Sequence, residues 1–470
     1  MSIQSLGIAL TGLDAAQTGL DAVSENLANA STKGYIAQTA EMGALAGGPG
    51  MVGSGVNVEN VTLDNNPALT MLAQTTSAQA GQASALAQAL RGAESVFTDF
   101  PASSTSSAGN GLQSALSTFW SDWATVAGSP GSLAARNSLL GSAQTVVDTL
   151  HSMASGLTSA ASGTQAQLGQ LVSQVNQQLG QLAQVNEELL SVSGTGGGGA
   201  NALVEQQISL ADNLASEIGA TNVTTATGSM TLSVGGVTLV SAGKAATLAV
   251  SGTGTSTAIS ASGGPLSATT ALPVSSGRAA GLVQAVTTEL PSWQGSLDKV
   301  ASTLASTVNT QLEAGVYWAP LGSSSATSSP GIAMFQGSGG AAVTASNIEI
   351  NPAMTANPAT IAAGTSSSSG PLDGSNAQAV SDLASSTSGA DVLYQGLVGQ
   401  AGAAVQSAQA AESVTSAASS SANAQASAAE GVNSNAQFTM LLQYQQMYAA
   451  SGKVISTAAS MLNSLLAAVA

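Results

Sequence analysis

Both ends of this 470-residue chain carry apolar residues that recur every seven positions. The N-terminal repeat consists of Leu6, Leu13, Leu20 and Leu27. The C-terminal repeat consists of Leu441, Tyr448, Ile455, Leu462 and Val469. This period is typical of helices that pack side by side, and a lone helix of this kind is only marginally stable in water. Most apolar stripes pack within their own domain, but a stripe at each extreme end favours pairing of the two ends.

The charge of the chain argues against a nucleic-acid partner. Seven Lys and Arg residues stand against 24 Asp and Glu, which gives a net charge of −17. Nucleic-acid binding needs clustered cations to neutralise phosphates. Only 7% of the residues are charged, against about 25% in ordinary domains. The surface is therefore rich in Ser, Thr, Gln, Asn and Gly, which is compatible with self-packing and equally with a compositional bias.

The sequence predicts a protein that neither inserts into a membrane nor carries a Sec-type signal peptide. No apolar stretch approaches the ~20 residues of a spanning helix, and the first ten residues lack a basic start followed by an apolar run. There is no cysteine, so disulfides and thiolate metal sites are excluded.

We find no motif for catalysis, a cofactor or a metal, and we expect no enzyme. His151 is the single histidine and lies in an apolar helical pattern, where a structural role is commoner than a catalytic one. Glu187 and Glu188 are adjacent, so on a helix they point about 100° apart. The glycine run at 194–199 lacks the Lys-Ser/Thr of a phosphate-binding loop.

Interior segments alternate between helical and strand patterns. We expect helices at 68–98, 112–123, 133–190 (with or without an interruption), 202–218, 282–313 and from 376 onward. Residues 416–429 contain mostly Ser and Ala, and we expect them to be frayed or disordered. Residues 55–61 predict a strand, and 229–240 predict a hairpin that turns at Gly235 and Gly236. Loops are expected at 43–55, 100–111 and 194–199, and residues 316–375 are loop-like with few strand candidates.

These patterns predict an α+β, multidomain, elongated protein. The paired N- and C-terminal coiled-coil helices comprise residues 1–40 with 432–470. An α-helical bundle domain comprises 41–200 with 282–315 and 376–431. An outer, β-rich domain comprises 201–281 with 316–375. Such a layout places both termini at one pole.

Residues 25–35 resemble the N-terminal signature of the flagellar rod, hook and hook-associated proteins. The signature residues are Asn26, Leu27, Asn29, Gly34 and Tyr35. Residues 438–466 look like the closing helix of the same family. The segment from Phe119 to Trp123 is similar to the hook-associated members that join hook and filament. Glu25 stands where Asn is common, Ser434 to Ala436 replace acidic residues, and the chain is short for the family, which implies a reduced outer domain.

The resemblance implies a non-enzymatic structural subunit of the flagellum, at the hook–filament junction outside the cell. It implies unfolded export through the flagellar type III channel and self-assembly into a ring through the heptad residues of both ends. Expected partners are the hook protein, hook-associated protein 3 and an export chaperone. Candidate chaperone contacts are Phe438, Leu442 and Tyr444. Alternatives are another axial protein (hook, rod or hook-associated protein 3) or a secreted coiled-coil adhesin.

Overall fold

The computed structural model describes residues 3–469 except residues 33, 47–52, 98–110, 193–198, 226–227 and 322–325. Most of the described chain is helical. The helices are α1 (Ile3–Ala28), α2 (Pro67–Glu94), α3 (Leu112–Gly128), α4 (Leu133–Val192), α5 (Gly199–Ile218), α6 (Gly277–Gln284), α7 (Leu290–Ala314), α8 (Pro352–Ala356), α9 (Ser375–Asp382), α10 (Ala390–Glu430) and α11 (Ser434–Val469). A single π-helical turn, Ala285–Glu289, links α6 to α7.

The strands form small antiparallel sheets between these helices. They are β1 (Gln38–Leu45), β2 (Gly55–Leu63), β3 (Thr221–Thr224), β4 (Met230–Val234), β5 (Val237–Ser241), β6 (Lys244–Ala245), β7 (Thr247–Ser251), β8 (Ala258–Ser262), β9 (Thr270–Ala271), β10 (Val316–Ala319), β11 (Thr327–Pro330), β12 (Phe335–Gly337) and β13 (Ile348–Ile350). The strand orders are β1-β2, β3-β4-β5-β6, β7-β8-β9, β10-β11 and β12-β13.

The terminal helices α1 and α11 pack against each other along the chain ends. Asn26 near the end of α1 donates to Gln437 near the start of α11, with 3.1 Å between Nδ2 and Oε1. Gly19 lies one heptad earlier and faces Tyr444, one heptad later. The two helices are therefore antiparallel, and the β1-β2 hairpin packs on α1 beside α11.

A first hydrophobic core lies inside a helical bundle. It is built from the C-terminal part of α2, from α3, the first half of α4, α7, α9 and α10, and from residues 334–363. Phe119 on α3 contacts Trp120, Trp123 and Phe335, with ring centroids 4.8 to 6.2 Å apart. These contacts explain why the aromatic cluster at 119–123 is buried.

A second core joins the distal half of α4 to α5, α6, Ala85 of α2 and strands β4, β5, β7 and β8. Its buried members run from Leu168 to Leu189 on α4 and from Leu210 to Leu282 beyond it. The 60-residue α4 crosses both cores without interruption. Since an α-helix rises about 1.5 Å per residue, α4 is about 90 Å long.

The two hydrophobic cores group the segments of the chain differently from the predicted domains. Residues 334–363 pack in the first core with the bundle, whereas 210–282 pack in the second. The sequence predicts one outer domain that consists of residues 201–281 with 316–375. That domain division remains a prediction.

Several local expectations agree with the structure and some need correction. The hairpin turn has positive φ at Gly235 (55°) and Gly236 (83°), as a type I′ turn requires. Residues 416–429 were expected to be frayed but form the last turns of α10, because Ala422 and Ala426 are buried where α10 packs on α2. Residues 43–45 were expected to be a loop but extend β1. The expected loops at 100–110 and 194–198 lie outside the described residues.

Candidate functional site

A line of small residues on α1 forms the contact between the terminal helices. A Cβ built on Gly19 would lie 2.7 Å from the Tyr444 ring, and one built on Gly12 would lie 2.9 Å from the Ser451 hydroxyl. Gly12, Gly19 and Asn26 are seven residues apart, as are their partners. The heptad register therefore exists, but glycine at its centre lets the helix backbones approach closely.

The predicted leucine positions flank this line. Leu6, Leu13, Leu20 and Leu27 are each half-buried, while Ala9, Ala16 and Val23 are buried. The last three leucines each follow a contact-line residue by one position, which is about 100° around the helix. These leucines consequently lie to one side of the surface where α1 contacts α11, and part of each side chain stays exposed.

The predicted positions on α11 differ in how far they are buried. Leu441, Tyr444 and Ile455 are half-buried. Tyr448, Leu462, Phe438 and Leu442 remain 42 to 62% exposed. Val469 is the last residue of α11. Leu10 of α1 is also 52% exposed, so the paired helices present a discontinuous apolar surface to the outside.

Asn26 lies where α1, α11 and β1 meet, and we call this meeting point the joint. Its side chain is fully buried. Its Oδ1 accepts from the Gln38 backbone N–H at 2.8 Å and from the Tyr35 hydroxyl at 3.0 Å. Its Nδ2 donates to the Gln38 carbonyl at 2.7 Å as well as to Gln437. All the hydrogen-bonding capacity of the amide is used, which fixes α1, α11 and β1 relative to one another.

Tyr35 lies in an acidic, half-buried setting at the same joint. Burial, helped by the nearby carboxylates of Glu205 and Glu25, raises the pKa of Tyr35 to about 12. Burial and Glu25 also raise the pKa of Glu205. The phenol therefore stays protonated at neutral pH and remains the donor to Asn26.

Glu430, the last residue of α10, ties the joint to the helical bundle. It is 8% exposed. Its Oε1 accepts from the Asn66 backbone N–H at 2.9 Å and from the Thr70 hydroxyl at 3.1 Å, and its carbonyl accepts from the Ala37 N–H at 2.8 Å. Five of the seven polar contacts of Asn26 and Glu430 thus go to main-chain groups or neutral side chains of the segment between α1 and α2.

The other signature residues end α1. Asn29 Nδ2 donates to the Glu25 carbonyl at 3.1 Å, and the Thr32 N–H donates to the Asn29 carbonyl at 2.8 Å. Gly34 has φ of 82°, the left-handed conformation that glycine adopts without strain. Leu27 is half-buried. The signature therefore turns the chain from α1 into β1.

The described residues offer neither a metal site nor a membrane span. Within them, no group of three or more His, Cys, Asp or Glu side chains is placed to hold a metal ion. None of the helices in the described ranges is long and apolar enough to cross a bilayer. His151 Nε2 lies 2.8 Å from the carbonyl of Ile348 and links α4 to β13. Glu187 and Glu188 are exposed on α4.

Residues 102–335 match the family model described as the flagellar hook-associated protein FlgK helical domain. Residues 6–35 match the model of the flagella basal body rod protein. Flagellar hook-associated protein 1 of Salmonella typhimurium is 24% identical over 214 residues, which are 45% of this chain and 36% of that protein. The protein of the same name from Escherichia coli K12 is 24% identical over 45% of this chain and 37% of its own.

A solved structure shares the fold. The flagellar hook junction protein FlgK from Burkholderia pseudomallei superimposes with a TM-score of 0.62 at 16% identity, over 75% of this chain and 98% of that one. The matched segment spans little more than a third of the length of the curated relatives.

Proposed function

We propose that this chain, which belongs to the FlgK family of flagellar hook-associated proteins, is a structural subunit of the junction between the flagellar hook and filament. The observation that carries the proposal is the close pairing of α1 with α11 around Gly12, Gly19 and Asn26, next to half-exposed leucines. A paired rod of this kind has apolar surface left over for neighbouring subunits. Self-assembly into a ring would bury it.

The charge of the surface supports the same proposal. The chain has 7% charged residues, so neighbouring copies present mostly neutral polar groups to each other. Contacts between such surfaces avoid the cost of removing ions from water. The proposed neighbours in the assembly are further copies, the hook protein on one side and hook-associated protein 3 on the other.

Export and chaperone binding complete the proposal. The exposed side chains of Phe438 and Leu442 are four residues apart on α11, so they share one face of that helix. Tyr444 is turned toward Gly19 instead. We expect an export chaperone to hold Phe438 and Leu442 before assembly, with Tyr444 reachable only while α11 is separated from α1. The type III export route of the flagellum would then deliver the chain outside the cell.

Deletion of the gene tests the junction role. We expect deleted cells to build hooks without filaments and to release flagellin into the medium, because the filament has no adaptor to grow from. Electron microscopy of the cells and immunoblotting of the medium measure both outcomes. Plasmid-borne wild-type protein is the control and restores filaments. Intact filaments on deleted cells would contradict the junction role, and missing hooks would favour a rod or hook role instead.

A further inference from the structure

Asparagine side chains on helices dock strands in four of the five described sheets. In each case one amide binds both the N–H and the C=O of a single strand residue. The pairs are Asn26 with Gln38 of β1, Asn186 with Met230 of β4, Asn176 with Leu248 of β7, and Asn309 with Phe335 of β12. The eight donor–acceptor distances lie between 2.7 and 3.0 Å.

The geometry of these hydrogen bonds resembles that between two neighbouring β-strands. A primary amide carries a donor and an acceptor side by side, as the N–H and C=O of one strand residue do along a sheet edge. Bound to both main-chain groups of one residue, it occupies the position that a neighbouring strand would take in an antiparallel ladder. Gln at these positions would be one methylene too long for a helix at the same distance.

Three of the docked residues lie on strands at the edge of a sheet, and Met230 lies on the interior strand β4 beyond the end of its pairing with β5. Strand β7 ends the order β7-β8-β9, and Leu248 faces Ala261 of β8 on its other side. Strands β1 and β12 belong to two-stranded sheets, so each has one open edge. Asn186 lies where β5 leaves β4, because its Nδ2 also donates to the carbonyl of Ala242 just beyond β5, at 3.0 Å. Each amide therefore fills a place where the ladder stops.

The docked residues are also buried. Gln38, Met230, Leu248 and Phe335 are between 1 and 7% exposed. Main-chain groups at such positions have little access to water, and leaving them unpaired is costly. The asparagine is thus required for the strand to lie against its helix.

We propose that these four asparagines are positioning residues that dock the sheets on the helices, and that Asn26, Asn176 and Asn309 also close the open sheet edges to other chains. Unpaired strand edges are templates for pairing between molecules. A protein that collects in many copies at one place needs its contacts restricted to the intended surfaces. The docking of the strands concerns the folded chain alone, whereas the need to close the edges rests on the proposed assembly of many copies.

Substitution of Asn176 tests the docking. In Asn176→Ala the Leu248 N–H and C=O lose their partner on α4, so we expect the exchange of the Leu248 amide to accelerate at least about tenfold. Asn137→Ala is the matched control, since Asn137 is exposed on the same helix. Asn309→Ala repeats the test at Phe335 in the other core. Residue-resolved hydrogen exchange of the full chain gives the result, and unchanged protection at both Leu248 and Phe335 would overturn the proposal.

Asn176→Asp separates hydrogen bonding from side-chain size. At neutral pH the carboxylate accepts from the Leu248 N–H but cannot donate to its carbonyl, whereas the protonated acid can donate. Protection at Leu248, corrected for the intrinsic exchange rate, should therefore rise as the pH falls below about 4. A pH-independent loss of protection would contradict an amide-specific role.

Light scattering after size-exclusion chromatography tests the closing of the edges. We expect Asn176→Ala and Asn309→Ala to associate at concentrations where Asn137→Ala keeps the wild-type mass. If both variants lose protection at the docked strand but keep the wild-type mass, docking holds and edge closing is wrong.

Discussion

At the scale of single residues, main-chain carbonyls replace carboxylates as partners of a buried cation. Arg136 is 2% exposed, and its guanidinium donates to the carbonyls of Pro130, Pro358 and Ile361. Burial lowers the pKa of Arg136 to about 10, so it stays charged at neutral pH. One side chain thus ties the start of α4 to the loop after α8.

Glu217 on α5 is a buried acid with incomplete partners. It is 6% exposed, and its Oε1 accepts from Gln174 at 2.8 Å. Its Oε2 is buried and has no hydrogen-bond partner among the described residues. Burial raises the pKa of Glu217, and the positive charge of Arg278 offsets part of that effect. The ionised form is therefore disfavoured in the folded chain.

Glu217→Gln should stabilise the protein at neutral pH. Because the folded pKa lies above the ordinary value of 4.5, the folded state holds its proton to higher pH than the unfolded state. Stability is thus lost as the pH rises from about 4.5 through the raised pKa. We expect the variant to gain about 1 kcal/mol at about pH 8 and nothing below about pH 4. Urea unfolding across this range measures the difference.

Glu187→Gln is the control for this prediction, since Glu187 is exposed on α4. It should leave the free energy of unfolding within about 0.5 kcal/mol of the wild type. A Glu217→Gln protein that is less stable than wild type at about pH 8 would contradict the argument.

At the scale of elements, the closeness of α1 and α11 depends on glycine. In Gly19→Ala the new methyl would lie 2.7 Å from the Tyr444 ring, so the helices must separate or the ring must move. We expect the pairing to weaken by about 1–3 kcal/mol. Hydrogen exchange of the α11 amides measures it.

Gly7→Ala on the same helix meets no atom within 4 Å. It should strengthen α1 by up to about 1 kcal/mol, because alanine favours helix over glycine. Equal protection of α11 in the two variants would mean that Gly19 does not set the helix spacing.

Elements with short-range signals could be predicted from the sequence. The turn at Gly235 and Gly236 needs only two positive φ angles, and the helix around Phe119 and Trp123 shows its aromatic face directly. The end of α10 gives no such signal, because its stability comes from the contact of Ala422 and Ala426 with α2. Small side chains permit that contact, but nothing in the composition says which helix provides it.

The candidate site could be predicted in outline only. The heptad repeats indicated two terminal helices that pair, yet the leucines turned out to flank a glycine line. The signature contained Asn26, but one of its four hydrogen bonds goes to Gln437, far along the chain. The position of Asn186 in the sequence indicates a buried polar contact, because this residue interrupts the buried face formed by Leu182, Val185 and Leu189. An asparagine at such a position needs partners that the helix itself cannot provide.

At the scale of the whole molecule, α4 connects the two hydrophobic cores, and few residues in the middle of this helix are buried. Between Leu157 of the first core and Leu168 of the second, Thr164 is the one buried residue. Gly163 has no atom within 4 Å of where a Cβ would stand. Continuity of the helix, more than side-chain packing, joins the cores along this stretch.

Gly163→Pro should uncouple the two cores. Proline removes a helical hydrogen bond and its ring clashes with the preceding turn, at a cost of about 3 kcal/mol. Trp120, Trp123 and Trp293 belong to the first core, so tryptophan fluorescence reports mainly on that core, while circular dichroism reports on all helices. We expect the two urea transitions to coincide in the wild type and to separate in the variant.

Gly163→Ala is the control and should keep the transitions together, because the methyl has open space and favours helix. Coinciding transitions in Gly163→Pro would show that contacts outside α4 suffice to couple the cores.

The length of α4 also has a mechanical consequence. A force on the second core along the axis of α4 passes as compression or tension through one rod of consecutive hydrogen bonds about 90 Å long. A force applied across the axis instead bends α4 at the stretch around Gly163, where few side chains are buried. Along this stretch α4 is therefore stiff lengthwise and compliant sideways, and sideways support between the cores comes from α2 and from the α6–α7 segment, which also connect them.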